Sequence, residues 1–227
     1  MHRLAIFGVL LSGVVLGGVL AKAHTRYMLA QARSASICSD VPCDYLNRRK
    51  NVIESHIAQI SVRPTYLVIG DSIVERGMLP TLCNRHPVNA GIGSATVATF
   101  ELYAHRLVEL LKPDFVVVAL GTNDTMFVKA DDFYRRLKTL VASMGSLPVI
   151  VVPLPPGPDV SHVVEFNAAI ATLQGTKAKP LESVQTLPDG VHLTAAAYEI
   201  WTQRIADAVL ASTSIANCSV AATTTPQ

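Results

Sequence analysis

The chain has 227 residues, of which half are apolar and 16% are charged, and its net charge is +2. This length suits one α/β domain with short attachments at its ends. The basic residues are dispersed along the chain rather than gathered in one stripe, which argues against a nucleic-acid partner.

The first 23 residues form a hydrophobic segment that predicts export. Arg3 supplies a positive charge, residues 4–20 carry none, and Ala21-Lys22-Ala23 fits a signal-peptide cleavage site. The uncharged run is just shorter than the roughly 20 residues that span a bilayer. We therefore expect either a cleaved signal peptide or a membrane anchor through residues 4–21, with a buried helix as the alternative. Export would place the protein in the periplasm or another extracytoplasmic space.

A linker is expected next, because residues 24–43 are polar and small and show no clear period. In chain order, the domain is predicted to contain helix Asp44–Ile60, strand Thr65–Ile69, helix Ile73–Cys83, strand Pro87–Asn89, helix Val97–Leu111, strand Asp114–Leu120, helix Ala130–Met144, strand Pro148–Val152, helix Ser161–Leu173 and a last helix from about Thr194, its N-cap, to Ala211. The domain thus covers residues 44–211. The small, Thr- and Ala-rich tail at 212–227 is expected to be mostly disordered.

Strands that are apolar throughout and alternate with helices indicate a parallel sheet that is covered on both faces. The predicted fold is therefore a three-layer α/β/α sandwich with a mainly parallel central sheet of about five strands. Ligands bind such sheets beyond the carboxyl ends of the strands, so chemistry is expected in the loops there.

The four cysteines are an even number that an exported protein could pair. Cys38 with Cys43 is the natural local pair, and Cys83 with Cys218 would then tie the tail to the domain. The alternative is that some are free buried thiols. A metal site is not expected, since the cysteines form no CxxC pair and five histidines lie without paired spacing, at positions 24, 56, 86, 105 and 162.

Ser72 ends the sequence Gly70-Asp71-Ser72, directly after the first predicted strand and before a helix. This position would put its hydroxyl at the carboxyl edge of the sheet. A serine hydroxyl is a poor nucleophile until a base takes its proton. The alternative is that Ser72 merely caps the helix.

His192 is the candidate base, because an imidazole can accept and return a proton near neutral pH. Asp189 precedes it by three residues with Gly190 between them, so one turn could bring the carboxylate to the other ring nitrogen. The alternative is a surface loop in which Asp189 only initiates a turn.

Two further loops could hold an oxyanion. Asn123 follows the most apolar strand and could aim its amide into the cleft, although an Asn in such a turn more commonly satisfies loop backbone groups. Residues 91–94, here called the glycine loop, could offer a backbone N–H from the other side. This loop lacks the lysine and the spacing of a phosphate-binding P-loop.

These four loops, in this order, resemble the conserved blocks of the SGNH hydrolase (GDSL-like) superfamily. The resemblance covers roughly Thr65 to Leu210. It implies the SGNH/flavodoxin-like form of the predicted sandwich, with Ser72 as nucleophile, Asp189 as acid and His192 as base.

The resemblance also implies an oxyanion hole made by the N–H of Ser72, the amide of Asn123 and a backbone N–H of the glycine loop. The family's oxyanion glycine falls on Ser94 in this chain, and Gly93 is the alternative donor in a shifted loop. Because the donor is a backbone N–H, a serine can supply it as a glycine does.

By this resemblance the chain is expected to be a carboxylic ester hydrolase that forms an acyl-serine intermediate and needs no metal or organic cofactor. The expected substrate is a small-molecule or glycan ester, such as an O-acetylated envelope glycan, or a lipid ester. Two alternatives are an O-acyltransferase with the same triad and a non-catalytic glycan-binding or scaffold protein.

Overall fold

The structure is a computed structural model that describes residues 42–158, 160–215 and 218. The predicted signal segment or anchor, nearly all of the predicted linker and most of the predicted tail lie outside these residues. None of the described helices is long and apolar enough to cross a bilayer.

Five parallel strands form one sheet in the order β2-β1-β3-β4-β5. The strands are β1 Thr65–Gly70, β2 His86–Gly91, β3 Val116–Ala119, β4 Val149–Val151 and β5 Thr176–Lys177. The helices are α1 Cys43–Gln59, α2 Ser72–Arg76, α3 Val97–Phe100, α4 Tyr103–Leu111, α5 Ala130–Ala142, α6 Val163–Ala171 and α7 Ala195–Ala211, with a 3₁₀ turn at Asp124–Met126. The predicted α/β/α architecture with a parallel sheet is confirmed.

The sheet is buried on both faces, as its apolar strands predicted. Tyr66 and Val68 of β1 belong to the cluster that packs under α7 around Trp201. Successive side chains of a strand point to opposite faces, so Leu67 and Ile69 serve the other helical layer, and both are fully buried. A strand buried on both sides cannot alternate apolar with polar residues, which explains the continuous apolar run in β1.

A close approach between α2 and the sheet depends on Gly70, the last residue of β1. A Cβ atom at this position would overlap the side chain of Val74 and lie 2.6 Å from the carbonyl oxygen of Ala119. Gly70 pairs with Gly91 in the register of β1 and β2. The glycines therefore let α2 lie directly over the strand ends, which sets the position of its first residue.

Several element boundaries differ from the prediction. The helix predicted to reach Cys83 ends at Arg76, because Gly77 adopts an extended conformation. Cys83 and Asn84, further along, adopt left-handed conformations that a helix cannot contain. The helix predicted over Val97–Leu111 is interrupted after Phe100. Strand β5 was not predicted, since two residues are too few to show a period.

A disulfide joins Cys83 to Cys218 and so connects the tail to the segment that follows α2. Ser212 and Ile215, at the start of the same tail, are buried. The other predicted pair includes Cys38, which lies outside the described residues.

Candidate active site

Three of the four loops meet at the carboxyl edge of the sheet through backbone and amide hydrogen bonds. The N–H of Ile92 donates to the carbonyl oxygen of Gly70 at 3.0 Å, which joins the glycine loop to the end of β1. Asn123 Nδ2 donates to the carbonyl oxygen of Ala95, also at 3.0 Å, which joins the loop after β3 to the residue that follows the glycine loop.

Ser72 is the first residue of α2, and its hydroxyl does not cap the helix. That role falls to Asp71, whose Oδ1 accepts the N–H of Ile73 at 2.9 Å. The alternative of Ser72 as the helix cap is therefore wrong. The Ser72 Oγ instead lies 2.8 Å from Nε2 of His192, across 120 residues of sequence.

Asp189 holds His192 through both its side chain and its backbone. Oδ2 lies 2.7 Å from Nδ1 of the ring, while Oδ1 accepts the N–H groups of His192 and Val191 at 2.9 and 3.1 Å. These hydrogen bonds, led by the one from the His192 backbone, keep the pKa of Asp189 well below its usual range. An ionised carboxylate only accepts hydrogen bonds. Nδ1 therefore carries the proton of a neutral ring, and Nε2 can accept the hydroxyl proton of Ser72.

The histidine loop, residues 186–193, is a tight reversal of the chain. Leu187 donates its N–H to the carbonyl oxygen of His192 at 2.6 Å, and Gly190 has a φ of +69° that suits a glycine. The proline-rich stretch at 153–158 packs against this loop. A Cβ atom at Gly157 would lie only 2.5 Å from the carbonyl oxygen of Gly190. The proline-rich stretch is therefore in close contact with the backbone of the histidine loop.

Asp71, the residue before Ser72, carries a buried carboxyl group. Its residue exposure is 2%, and burial raises its pKa to about 6, although hydrogen bonds from the Ile73 N–H and the Thr122 hydroxyl oppose the rise. A cavity of about 10 Å³ borders Asp71, Thr122 and Trp201. This volume suits about one water molecule.

The four predicted oxyanion donors differ in what they already bind. The Gly93 N–H donates to Glu75 Oε2 at 2.7 Å and lies 3.2 Å from the Tyr45 hydroxyl oxygen, so it is already used. Within the described part of the chain, the Ser94 N–H has no hydrogen-bond acceptor. Ser94 is exposed with a φ of +60°, a conformation that costs about 1 kcal/mol for a residue other than glycine.

The other two donors remain available. The N–H of Ser72 is at the first position of α2, where a backbone N–H has no partner within the helix. Asn123 uses one amide hydrogen on the glycine loop and keeps the second. The amide thus both braces the loop, as the alternative interpretation expected, and retains a donor.

Sequence reasoning missed a group of side chains beneath the glycine loop. The hydroxyl of Tyr45 lies 2.6 Å from both carboxylate oxygens of Glu75. Arg49 Nε lies 3.2 Å from Glu75 Oε1 and donates to the carbonyl oxygen of Gly91 at 2.7 Å. The sequence does place Glu75 three residues after Ser72, which could have marked it as close to the site. No pattern in the sequence indicates that α1, which carries Tyr45 and Arg49, lies beside the glycine loop.

Comparison with known proteins agrees with the fold. The model of the GDSL-like lipase/acylhydrolase family matches residues 68–200, a range that contains all four loops. No curated protein matches the chain.

Among solved structures, a protein from Streptococcus pneumonia described as a platelet activating factor has 18% identity and a TM-score of 0.58, covering 80% of this chain and 98% of its own. The lipase/acylhydrolase from Enterococcus faecalis has 21% identity and a TM-score of 0.52, with coverages of 63% and 94%. An acetylxylan esterase from Geobacillus stearothermophilus has 18% identity and a TM-score of 0.53, with coverages of 65% and 94%. At these identities the likeness is one of fold.

Proposed function

The chain belongs to the GDSL-like lipase/acylhydrolase family and is a carboxylic ester hydrolase, and we propose that it acts through an acyl-serine intermediate on Ser72. The supporting observation is the continuous hydrogen-bonded chain from Asp189 through His192 to the serine hydroxyl, with links of 2.7 and 2.8 Å. A nucleophile that contacts a base, which a third group orients, is the arrangement that covalent ester hydrolysis requires.

In the proposed reaction, His192 Nε2 takes the hydroxyl proton as Ser72 Oγ attacks the ester carbonyl carbon. The imidazolium then gives this proton to the leaving alcohol, and the carbon–oxygen bond of the ester breaks. Water, deprotonated by the same nitrogen, hydrolyses the acyl-serine and regenerates the hydroxyl. The ionised Asp189 stabilises the imidazolium and keeps the ring in the required orientation.

We propose that the oxyanion is held by the N–H groups of Ser72 and Ser94 and by the second amide hydrogen of Asn123. The occupied N–H of Gly93 favours Ser94 over Gly93 as the donor from the glycine loop. Such donors act on charge that develops only in the transition state, and loss of one costs roughly a hundred- to a thousandfold in kcat. Asn123→Ala should therefore lower kcat by about this factor with a small effect on KM.

The proposed substrate is an ester with a short acyl group, such as an O-acetylated glycan. The cavity beside Asp71, which neither Ser72 nor His192 lines, has room for about one water, so that cavity does not take up an acyl chain. The acetylxylan esterase of similar fold is one example of an enzyme for this class, and the lipase/acylhydrolase from Enterococcus faecalis is an equal structural match. A lipid ester would have to lie along the surface, where Met126 and Phe127 are exposed after the Asn123 loop.

We propose that the enzyme acts outside the cytoplasm. The disulfide between Cys83 and Cys218 supports this location, because such bonds persist in oxidising compartments. Fractionation of the native cells should recover the protein from the envelope in its oxidised form. Recovery from the cytoplasm with free thiols would contradict the proposal.

The proposed mechanism is tested with 4-nitrophenyl esters of two to twelve carbons and a fluorophosphonate probe. We expect wild type to favour the acetate, the probe to label Ser72, and Ser72→Ala to lose both activity and labelling, while the control Ser55→Ala, at an exposed position of α1, retains both. Unlabelled Ser72 with activity intact in Ser72→Ala would refute the acyl-serine mechanism and favour a scaffold role. A preference for long acyl chains would refute the proposed substrate class.

The same assay separates hydrolysis from acyl transfer. With acetylated donor and a glycan acceptor present, hydrolysis releases acetate at a rate that the acceptor leaves unchanged. Acetylated glycan formed in place of free acetate would identify an O-acyltransferase instead.

A further inference from the structure

We infer that Glu75 is a positioning residue that holds the glycine loop so that its backbone donor faces the nucleophile. The inference rests on the proposed function and adds a residue to its oxyanion hole. Glu75 touches neither the hydroxyl of Ser72 nor the ring of His192. It acts through the loop to which it is bonded.

The carboxylate of Glu75 is a junction between three segments. It accepts the N–H of Gly93 at 2.7 Å and the hydroxyl of Tyr45 at 2.6 Å, and Arg49 lies 3.2 Å from its other oxygen. The side chains of Arg49 and Glu75 are only 18% and 24% exposed, so solvent does not easily replace these bonds. Hydrogen bonds to ionised groups in such surroundings are the stronger kind.

The glycine loop also packs tightly on Glu75. A Cβ atom at Gly91 would lie 2.6 Å from the Cα of Glu75, and one at Gly93 would lie 3.0 Å from both the Glu75 carboxylate and the Tyr45 hydroxyl. The loop therefore contacts the backbone of α2 at one residue and its glutamate side chain two residues later. Side chains on the loop would separate these surfaces, which accounts for both glycines.

The contact between Glu75 and the glycine loop also restrains the backbone N–H of Ser94, the donor of this loop that remains available. The bond to Glu75 holds the peptide that joins Ile92 to Gly93, and the Ala95 N–H donates to the carbonyl oxygen of Ile92 at 3.0 Å, which closes a turn around Gly93 and Ser94. Asn123 binds the carbonyl oxygen of Ala95 at the far end of this turn. Ser94 thus lies between two anchors in its left-handed conformation. These bonds restrict the rotation of the peptide that carries its free N–H.

Glu75 also ties the donor to the nucleophile. It lies three residues after Ser72 on α2, so one short helix carries both the attacking oxygen and the anchor of the glycine loop. An oxyanion hole must hold its donors in place before charge develops, because reorientation during the reaction costs rate. Because α2 carries both Ser72 and Glu75, the helix helps to set the separation between the N–H groups of Ser72 and Ser94.

Glu75→Gln is an almost isosteric probe of this role. Glutamine offers one acceptor oxygen where the carboxylate offers two, so its NH₂ group must face either the Gly93 N–H or the cluster of Tyr45 and Arg49. We expect kcat for 4-nitrophenyl acetate to fall about tenfold, a tenth or less of the effect of losing a donor outright. KM should stay within about twofold, because ground-state binding does not use the oxyanion donors.

The matched control is Glu54→Gln. Glu54 also ties α1 to the domain, through a two-bond pair with Arg106 of α4, but it does not contact the glycine loop. We expect its kcat to stay within about twofold of wild type. Tyr45→Phe removes only one hydroxyl from the cluster, and we expect an approximately threefold fall in kcat.

The decisive readout is the affinity for a tetrahedral boronic acid, which mimics the oxyanion on Ser72. In Glu75→Gln this affinity should fall by the same factor as kcat/KM, because both report the oxyanion hole. Unchanged boronate affinity, a kcat within about twofold of wild type, or an equal loss in Glu54→Gln would overturn the inference. If Glu75→Gln does not fold, Tyr45→Phe is tested instead, by its boronate affinity, its kcat relative to wild type and its loss compared with that of Glu54→Gln.

Failure of the proposed function looks different. A wild-type enzyme in which the fluorophosphonate leaves Ser72 unlabelled would refute the acyl-serine mechanism, and the role of Glu75 would fall with it. A labelled, active wild type with a fully active Glu75→Gln would refute the positioning role alone.

Discussion

Asp71→Asn should make the protein more stable, and more so at higher pH. Burial raises the pKa of Asp71 from 3.8 to about 6, so the folded state binds this proton more tightly than the unfolded chain. The stabilisation of the fold by this tighter proton binding is fully present below about pH 4 and is lost as the pH rises through 6. At about 1.4 kcal/mol per pKa unit, a shift of about two units corresponds to about 3 kcal/mol once the group is ionised.

Asparagine at position 71 cannot ionise but keeps an oxygen that can accept the Ile73 N–H. In wild type, ionisation of the buried Asp71 lowers the free energy of unfolding by about 3 kcal/mol at about pH 8 and by only about 1 kcal/mol at about pH 4.5. The variant has no such loss at either pH. The stability difference between variant and wild type should therefore grow by about 2 kcal/mol between these pH values. Any constant change in hydrogen bonding cancels in this comparison.

The measurement is urea unfolding of both proteins at the two pH values, with Asp207→Asn as the control. Asp207 is exposed on α7, and its substitution should change stability by nearly the same amount at both pH values. A difference between Asp71→Asn and wild type that does not vary with pH, or that shrinks as the pH rises, would refute the reasoning from burial.

Three other variants test further contacts in the domain. Gly157→Ala should lower kcat/KM by about ten- to a hundredfold in the aryl-ester assay, because its Cβ would lie 2.5 Å from the Gly190 carbonyl oxygen and displace the histidine loop; full activity would show that the loop can yield. Replacing Cys83 and Cys218 together by serine should lower the free energy of unfolding by about 5 kcal/mol, since the bond closes a loop of 135 residues; an unchanged midpoint of urea unfolding would contradict this expectation. Tyr198→Phe removes a 2.8 Å hydrogen bond to the carbonyl oxygen of Ile73 in α2 and should lower the free energy of unfolding by about 1 kcal/mol. Urea unfolding at one pH measures this loss, and an unchanged free energy would contradict the expectation.

The sequence predicted the architecture because apolar strands and helical periods are local signals. Runs such as those of β1 and β3 are short and apolar throughout, and only a sheet covered on both faces explains them. The end of α2 escaped prediction, since apolar residues continue past Arg76 although the chain turns. Strand β5 escaped because its pairing with β4, rather than its composition, makes it a strand.

The candidate site also has parts that the sequence predicted and parts that only the tertiary structure shows. Gly70-Asp71-Ser72 and Asp189 to His192 are local motifs whose turn chemistry can be recognised in the sequence, and the sheet order then brings their ends together. The tertiary structure alone decided which donors of the glycine loop are free. The N–H of Gly93 is occupied by groups 18 and 48 residues away, and no local pattern records that α1 and α2 converge there. A sequence specifies which groups could bind, whereas packing determines which partners they find.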